Sequence, residues 1–188
     1  MDSYFDIKAL PNPEIIQSAV LGHLMQHLHQ LLPAFDGRIG LAFPAYGQQH
    51  TLGGIVRVLG EHKDSDVLYQ QLQGMTDISD YALLTPIEPT PANISQYVKY
   101  TRAHAKGNSR LQRLKRRHQA AGTWTDELAS LIASKYSQPL HLPHVSLNSA
   151  SSGQRFMLFV RRQLVQEGGQ GVFNSYGLSL GEAAVPAF

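Results

Sequence analysis

The chain has 188 residues, 43% of them hydrophobic, so it can build a real core and wholesale disorder is excluded. It has no cysteine, hence no disulfide and no thiolate metal site, and no apolar run reaches the ~18 residues of a membrane helix. The formal net charge of +2 hides a segregation: residues 1–94 carry four Lys/Arg against ten Asp/Glu, whereas residues 95–188 carry twelve against four.

In chain order, Tyr4 to Ala9 alternates as a half-buried strand does. Asn12, Pro13 and Glu14 predict a helix start, as cap, first-turn proline and first-turn acid. That helix should run to about Leu32, where Pro33 stops it, burying Ile16, Val20, Leu24, Leu28 and Leu31. Arg38 to Phe43 and Gly54 to Leu59 read as strands, Asp64 to Leu72 as a second helix and Tyr81 to Thr85 as a fourth strand. The βαββαβ order is the split-βαβ, ferredoxin-like pattern, a fold that hosts many functions and decides none.

The proline-rich stretch from Thr85 to Pro91 then reads as a stiff connector. The expected architecture is therefore α+β: a ferredoxin-like domain over residues 1–94, then a smaller α+β domain over residues 95–188. In the second part, Gln96 to Ala105 reads as a strand. Residues 109–121 read as a basic helix capped by Asn108 or Ser109, and Thr125 caps a further helix reaching Tyr136. Val145 to Asn148 and Arg155 to Arg161 are expected hairpin strands, joined by the polar turn Ser149 to Gly153. The tail is glycine-rich from Gly168 to Gly181, but no Lys-Ser/Thr follows these glycines, so no phosphate-binding loop of the Walker type exists.

The charge pattern points to a partner. No acid lies between Glu88 and Asp126, and that gap holds eight of the 16 Lys/Arg. Such crowding repels itself unless a polyanion neutralises it, which is the footprint of a nucleic-acid binder. On a helix, Arg110, Arg113, Arg116 and Arg117 fall within an arc of about 120°. Arginine forks match phosphate oxygens better than a lysine point charge does. An A-form major groove is deep and narrow, so such a helix suits a short hairpin, entered near its end or loop.

Histidines are the remaining chemical groups. His23 and His27 are spaced i, i+4 as metal ligands can be, but no acid or cysteine stands beside them in sequence. They are expected to be structural, with no metal or other cofactor. His29 faces the other side of the same helix near its C-terminal end, where the dipole favours a protonated ring. The basic half lacks paired carboxylates, which argues against a two-metal nuclease.

Taken together, several ordered motifs resemble the CRISPR-associated endoribonucleases of type I-F systems, which process repeat transcripts into guide RNAs. They begin with Met1-Asp2, Tyr4 and Asp6-Ile7, then Leu28-His29-Gln30 and Asp36-Gly37-Arg38-Ile39-Gly40 leading to Phe43-Pro44. They continue with Arg102-Ala103-His104-Ala105-Lys106, Leu114 to His118, Ser149 to Phe156, Phe159, Tyr176 to Ser179 and Phe188. The resemblance implies that His29 acts on the 2′-hydroxyl, that Ser149 (or Ser151, since the turn allows either) positions it, and that Tyr176 orients His29. It also implies that Arg113, Arg116 and Arg117 grip the stem, that Arg102 and His104 read its lowest bases, and that Phe156 stacks on its terminal pair. Arg110, Lys115 and Arg155 would add contacts to the RNA. Two departures stand out: position 104 is His where the family pattern leads one to expect Gln, and the basic helix is shortened by two residues and interrupted by Lys115.

The expected activity is metal-independent cleavage at the base of the CRISPR repeat hairpin, with the mature guide RNA kept bound. Partners would be that hairpin RNA and the other subunits of the type I-F surveillance complex. The acidic start of the chain lacks the form of a secretory signal, and the expected location is the cytoplasm, with no membrane role. The alternative is a catalytically silent hairpin-binding subunit of a guide-RNA complex. A DNA-binding regulator that uses the basic helix in a B-form groove is a third, distant reading.

Overall fold

The computed structural model describes residues 1–104, 108–136, 140–149, 152–169 and 171–188, without the side chains of 108–112 and 133–136. It is α+β, with two antiparallel sheets and a few helices. By contacts the chain divides into two compact units, Met1–Arg102 with Leu142–Phe188, and Ala103–His141.

In the larger unit the first sheet grows around β1 (Ser3–Ala9). It pairs antiparallel with β3 (Ile55–Gly60), from Ser3 opposite Gly60 to Lys8 opposite Ile55, and on its other side with β4 (Ala82–Leu84). Strand β2 (Gly40–Ala42) pairs with β3, so the order is β2-β3-β1-β4. The alternating residues Phe5 and Ile7 of β1 and Val56 and Val58 of β3 are wholly buried. Leu24, Met25 and Leu28 of α1 (Gln17–Leu31) and Leu68 and Leu72 of α2 (His62–Gln73) belong to the same core. Area removed from water by side chains of this size is the main favourable term in the fold.

Several predicted boundaries move. Helix α1 starts at Gln17 and not at Asn12. Asn12 does cap, its Oδ1 accepting from the backbone N–H of Glu14 and Ile15, but that turn ends before Ile16, which is extended and 74% exposed and so not part of the buried stripe. A short helix, α3 (Thr76–Ser79), precedes β4. The proline connector is not simply a spacer: β5 (Glu88–Pro89) pairs with Ser3 and Tyr4 of β1.

The second sheet has the order β7-β8-β6-β9, from β6 (Tyr97–Ala103), β7 (His144–Asn148), β8 (Arg155–Val165) and β9 (Val185–Pro186). Strand β8 runs four residues past the predicted end at Arg161, with exposed side chains at Arg161 to Leu164. Val98, Tyr100, Val145, Leu147, Leu158 and Val160 carry the core into this sheet. Gly22 lets α1 approach β7: a Cβ there would lie 2.8 Å from the Ser146 carbonyl oxygen. Arg57 ties the rim together, lying over the Tyr4 and Phe188 rings while paired with Asp6 at 2.7 and 3.1 Å.

The smaller unit is a helical pair, α4 (Asn108–Ala120) and α5 (Asp126–Tyr136). Helix α4 ends in a Schellman turn: the Thr123 and Gly122 N–H groups donate to the His118 and Gln119 carbonyls, with Gly122 at φ +66°. Thr125 caps α5 as its sequence predicts, its Oγ1 accepting from the Leu128 N–H at 3.2 Å. Among the described residues, no helix is long and apolar enough to cross a membrane.

Candidate active site

His29 stands in the last turn of α1, half-buried, against the chain segment 174–178. Its Nδ1 lies 3.1 Å from the Ser175 carbonyl oxygen. A carbonyl can only accept, so Nδ1 carries the hydrogen, and the neutral ring keeps its basic lone pair on Nε2. The Tyr176 ring stacks on the imidazole, with centroids 3.9 Å apart and planes 4° from parallel. One hydrogen bond in the ring plane and one stacked face leave His29 little freedom to turn.

That segment is built by its own sequence. Asn174 opens a tight turn: its Oδ1 accepts from the N–H of Tyr176 at 2.8 Å and of Leu178 at 3.2 Å, and its carbonyl accepts from the Gly177 N–H. Gly177 is at φ +67°, and a Cβ there would lie 2.3 Å from Leu41 Cγ, so only glycine fits. The Gly177 carbonyl in turn accepts from the Leu41 N–H at 2.8 Å, docking the turn on β2. Here the glycine serves a tight turn.

Arg102, near the end of β6, is exposed and extends the row. Its guanidinium carbon lies 5.6 Å from the Tyr176 ring centre and 5.5 Å from that of Phe156. Phe156 of β8 is half-buried and packs against the core, while Arg155 before it is exposed. His29, Tyr176, Arg102 and Phe156 thus form a continuous series of planar groups in the larger unit, the arrangement that stacked bases and phosphates favour.

Ser149 begins the β7–β8 turn, where its N–H donates to the Gln154 carbonyl and its carbonyl accepts from Gly153. Its Oγ accepts from the Ser152 N–H at 3.4 Å. Gln26 of α1 accepts the Asn148 N–H at 3.1 Å, which fastens the residue before Ser149 to the helical turn that carries His29. Ser151 and the side chain of Arg110 lie outside the described residues. His104 is exposed just after β6.

In the smaller unit Arg113, Lys115, Arg116 and Arg117 are all exposed on α4, and Leu114 is half-buried. Among the described residues, no carboxylate pairs with these four cations. The Lys115 ammonium lies 5.7 Å from the centre of the Trp124 ring.

The CRISPR-associated protein (Cas_Csy4) family matches residues 4–188, almost the whole chain. The chain belongs to that family. The CRISPR-associated endonuclease Cas6/Csy4 of Escherichia coli (strain UTI89 / UPEC) is 34% identical over 194 residues, with all of both chains covered. The protein of the same name from Pseudomonas aeruginosa (strain UCBPP-PA14) is 35% identical over 189 residues, covering 96% of this chain and 97% of its own. The motif resemblance read from the sequence is to this Cas_Csy4 family.

Sequence reasoning missed three supports of this candidate site: the Ser175 carbonyl, the Asn174 side chain and Gln26. For Asn174 a signal existed, since Asn at the first position and Gly at the fourth of Asn174-Ser175-Tyr176-Gly177 is a tight-turn signature. It also missed Asp77, which approaches His23 and His27.

Proposed function

We propose that this chain is a metal-independent endoribonuclease that binds the CRISPR repeat hairpin, cuts at the base of its stem and keeps the guide RNA. The observation that carries the reading is the 3.1 Å contact between His29 Nδ1 and the Ser175 carbonyl oxygen: with Nδ1 donating there, Nε2 is left as the base. RNA brings its own nucleophile, so the protein needs a base, in-line geometry and charge stabilisation. His29 Nε2 takes the proton of the 2′-hydroxyl, and the 2′-oxygen attacks the adjacent phosphorus. The bond to the 5′-oxygen of the next nucleotide breaks, and that oxygen takes a proton from water, to which His29 then returns its own. The products are a 2′,3′-cyclic phosphate and a 5′-hydroxyl.

Ser149 holds the 2′-hydroxyl in line, and Tyr176 keeps the imidazole plane oriented through its stacked face. Phe156 stacks on the last base pair of the stem, Arg102 and His104 read the lowest bases, and Arg155 meets phosphate. Arg110, Arg113, Lys115, Arg116 and Arg117 grip the stem from the arginine-rich helix. The strand order β2-β3-β1-β4 supports a ferredoxin-like first domain over residues 1–94, with residues 95–188 as the RNA-binding half. A product held this tightly suits a subunit that carries the guide into a type I-F surveillance complex in the cytoplasm.

His29→Ala tests the reading. Cleavage of the hairpin should fall by ~10²-fold or more, the usual contribution of a positioned base, while affinity stays within a few fold. A comparable loss of affinity would make His29 a structural residue.

A further inference from the structure

On the face of α1 away from His29, three ligand-type atoms converge. His23 Nε2 and His27 Nε2 lie 3.1 and 2.7 Å from the same carboxylate oxygen of Asp77, and 3.2 Å from each other. Among the described residues this is the one such group of three whose donor atoms lie this close together. The histidines are one helical turn apart on α1, and Asp77 comes from α3, 54 residues from His23 in sequence.

Hydrogen bonding alone serves this triangle poorly. If both rings carry hydrogen on Nε2, both can donate to Asp77, but two N–H groups then face each other across 3.2 Å. If one ring carries it on Nδ1, that ring's Nε2 turns a lone pair toward the carboxylate oxygen. A cation at the centre satisfies all three lone pairs at once. Zinc bonds of about 2.0–2.2 Å in tetrahedral geometry put neighbouring donors roughly 3.3 Å apart, so the tightest pair would open by about half an ångström.

We propose that His23, His27 and Asp77 bind one zinc-class divalent cation, which clips α1 to α3. Two imidazoles and one carboxylate suit zinc, cobalt(II) or nickel(II), whereas magnesium and calcium prefer oxygen ligands. Both sides of the clip are already fixed: neighbouring Leu24, Met25 and Leu28 anchor α1, and the buried Ile78 anchors the turn that carries Asp77. His23 and Asp77 are each 45% exposed, which leaves the remaining position to water. The residue spacing turns His29 roughly 200° away from His27 around the helix, so the cation is structural and takes no part in RNA cleavage.

The experiment titrates zinc(II) and, separately, cobalt(II) into the metal-free full chain. Binding is read by calorimetry, by the visible bands of cobalt(II) and by the melting temperature. One equivalent should bind in the micromolar range with a tetrahedral cobalt spectrum, and zinc should raise the melting temperature. His23→Gln, His27→Gln and Asp77→Asn should each weaken binding about tenfold or more and lose the zinc-induced rise. The exposed His62→Gln, outside the cluster, should match wild type. Melting temperatures of the metal-free variants close to wild type establish that folding is intact. No binding in the micromolar range, or equal loss in His62→Gln, overturns the proposal and leaves the triangle as a hydrogen-bonded contact.

Discussion

The surroundings of His29 and the exposed face of α4 are opposites. His29 is half-buried, fixed by the Ser175 carbonyl and the Tyr176 ring, and both of those are fixed by the Asn174–Gly177 turn. Arg113, Arg116 and Arg117 are exposed, and no carboxylate among the described residues holds them. Chemistry at one bond needs a geometry set in advance, because misplacement by an ångström costs orders of magnitude. Attraction to a polyanion needs charge more than position, and free arginines lose less by waiting in water. On the proposed function, the contrast teaches that one chain can keep its rigidity for the base and leave its grip uncommitted until RNA arrives.

The largest effect should come from breaking the rigid side. Gly177→Ala forces a side chain into positive φ and onto Leu41, so the turn must move away from His29. Hairpin cleavage should drop by ~10²-fold with affinity nearly kept. Normal cleavage would mean that the turn does not position the base. Asn174→Ala removes the acceptor of two N–H groups in the same turn, and a loss of about tenfold in cleavage is expected, near one hydrogen bond's worth.

The charged side should answer differently. Arg116→Ala combined with Arg117→Ala should weaken hairpin binding and reduce its salt slope by up to about two units, since each phosphate contact contributes nearly one. The cleavage rate of saturated complex should change little. An unchanged slope would remove both arginines from the interface and collapse the contrast.

The smallest effect concerns stability alone. Arg38 donates to both oxygens of the buried Asp64, at 2.7 and 3.4 Å, and this contact holds the carboxyl below its ordinary value. Folding therefore favours the ionised form. That stabilisation is complete above the unfolded pKa of about 3.9 and disappears as pH falls through the lower folded value. Asp64→Asn should cost about 1 kcal/mol at neutral pH by denaturant melts, with the gap to wild type closing in acid.

Local pattern made much of this fold legible. Alternation located β1, strands at β3 and β6 were also read in the sequence, and Thr125 marked the start of α5 because caps act within three residues. The two-residue strands β5 and β9 escaped, since each contains a proline and is too short to alternate. Helix α1 starts later than Asn12 suggests because Asn12 uses its side chain on a separate turn. Of the candidate site, spacing could put His29 at a helix end, but not opposite Ser175, 146 residues away. The role proposed for it rests on resemblance to relatives and was not legible in spacing alone. Asp77 was invisible beside His23 and His27 for the same reason, since tertiary contact has no signature in local sequence.

The most direct measurement is single-turnover cleavage of the repeat hairpin in excess EDTA, run beside the same RNA carrying one 2′-deoxy nucleotide at the cut site. The account predicts equal binding of both RNAs, cutting of the first to a 2′,3′-cyclic phosphate, and none of the second. Cutting of the deoxy RNA, loss of cutting in EDTA, or tight binding of both with no cutting would contradict it, the last leaving the chain a silent hairpin-binding subunit.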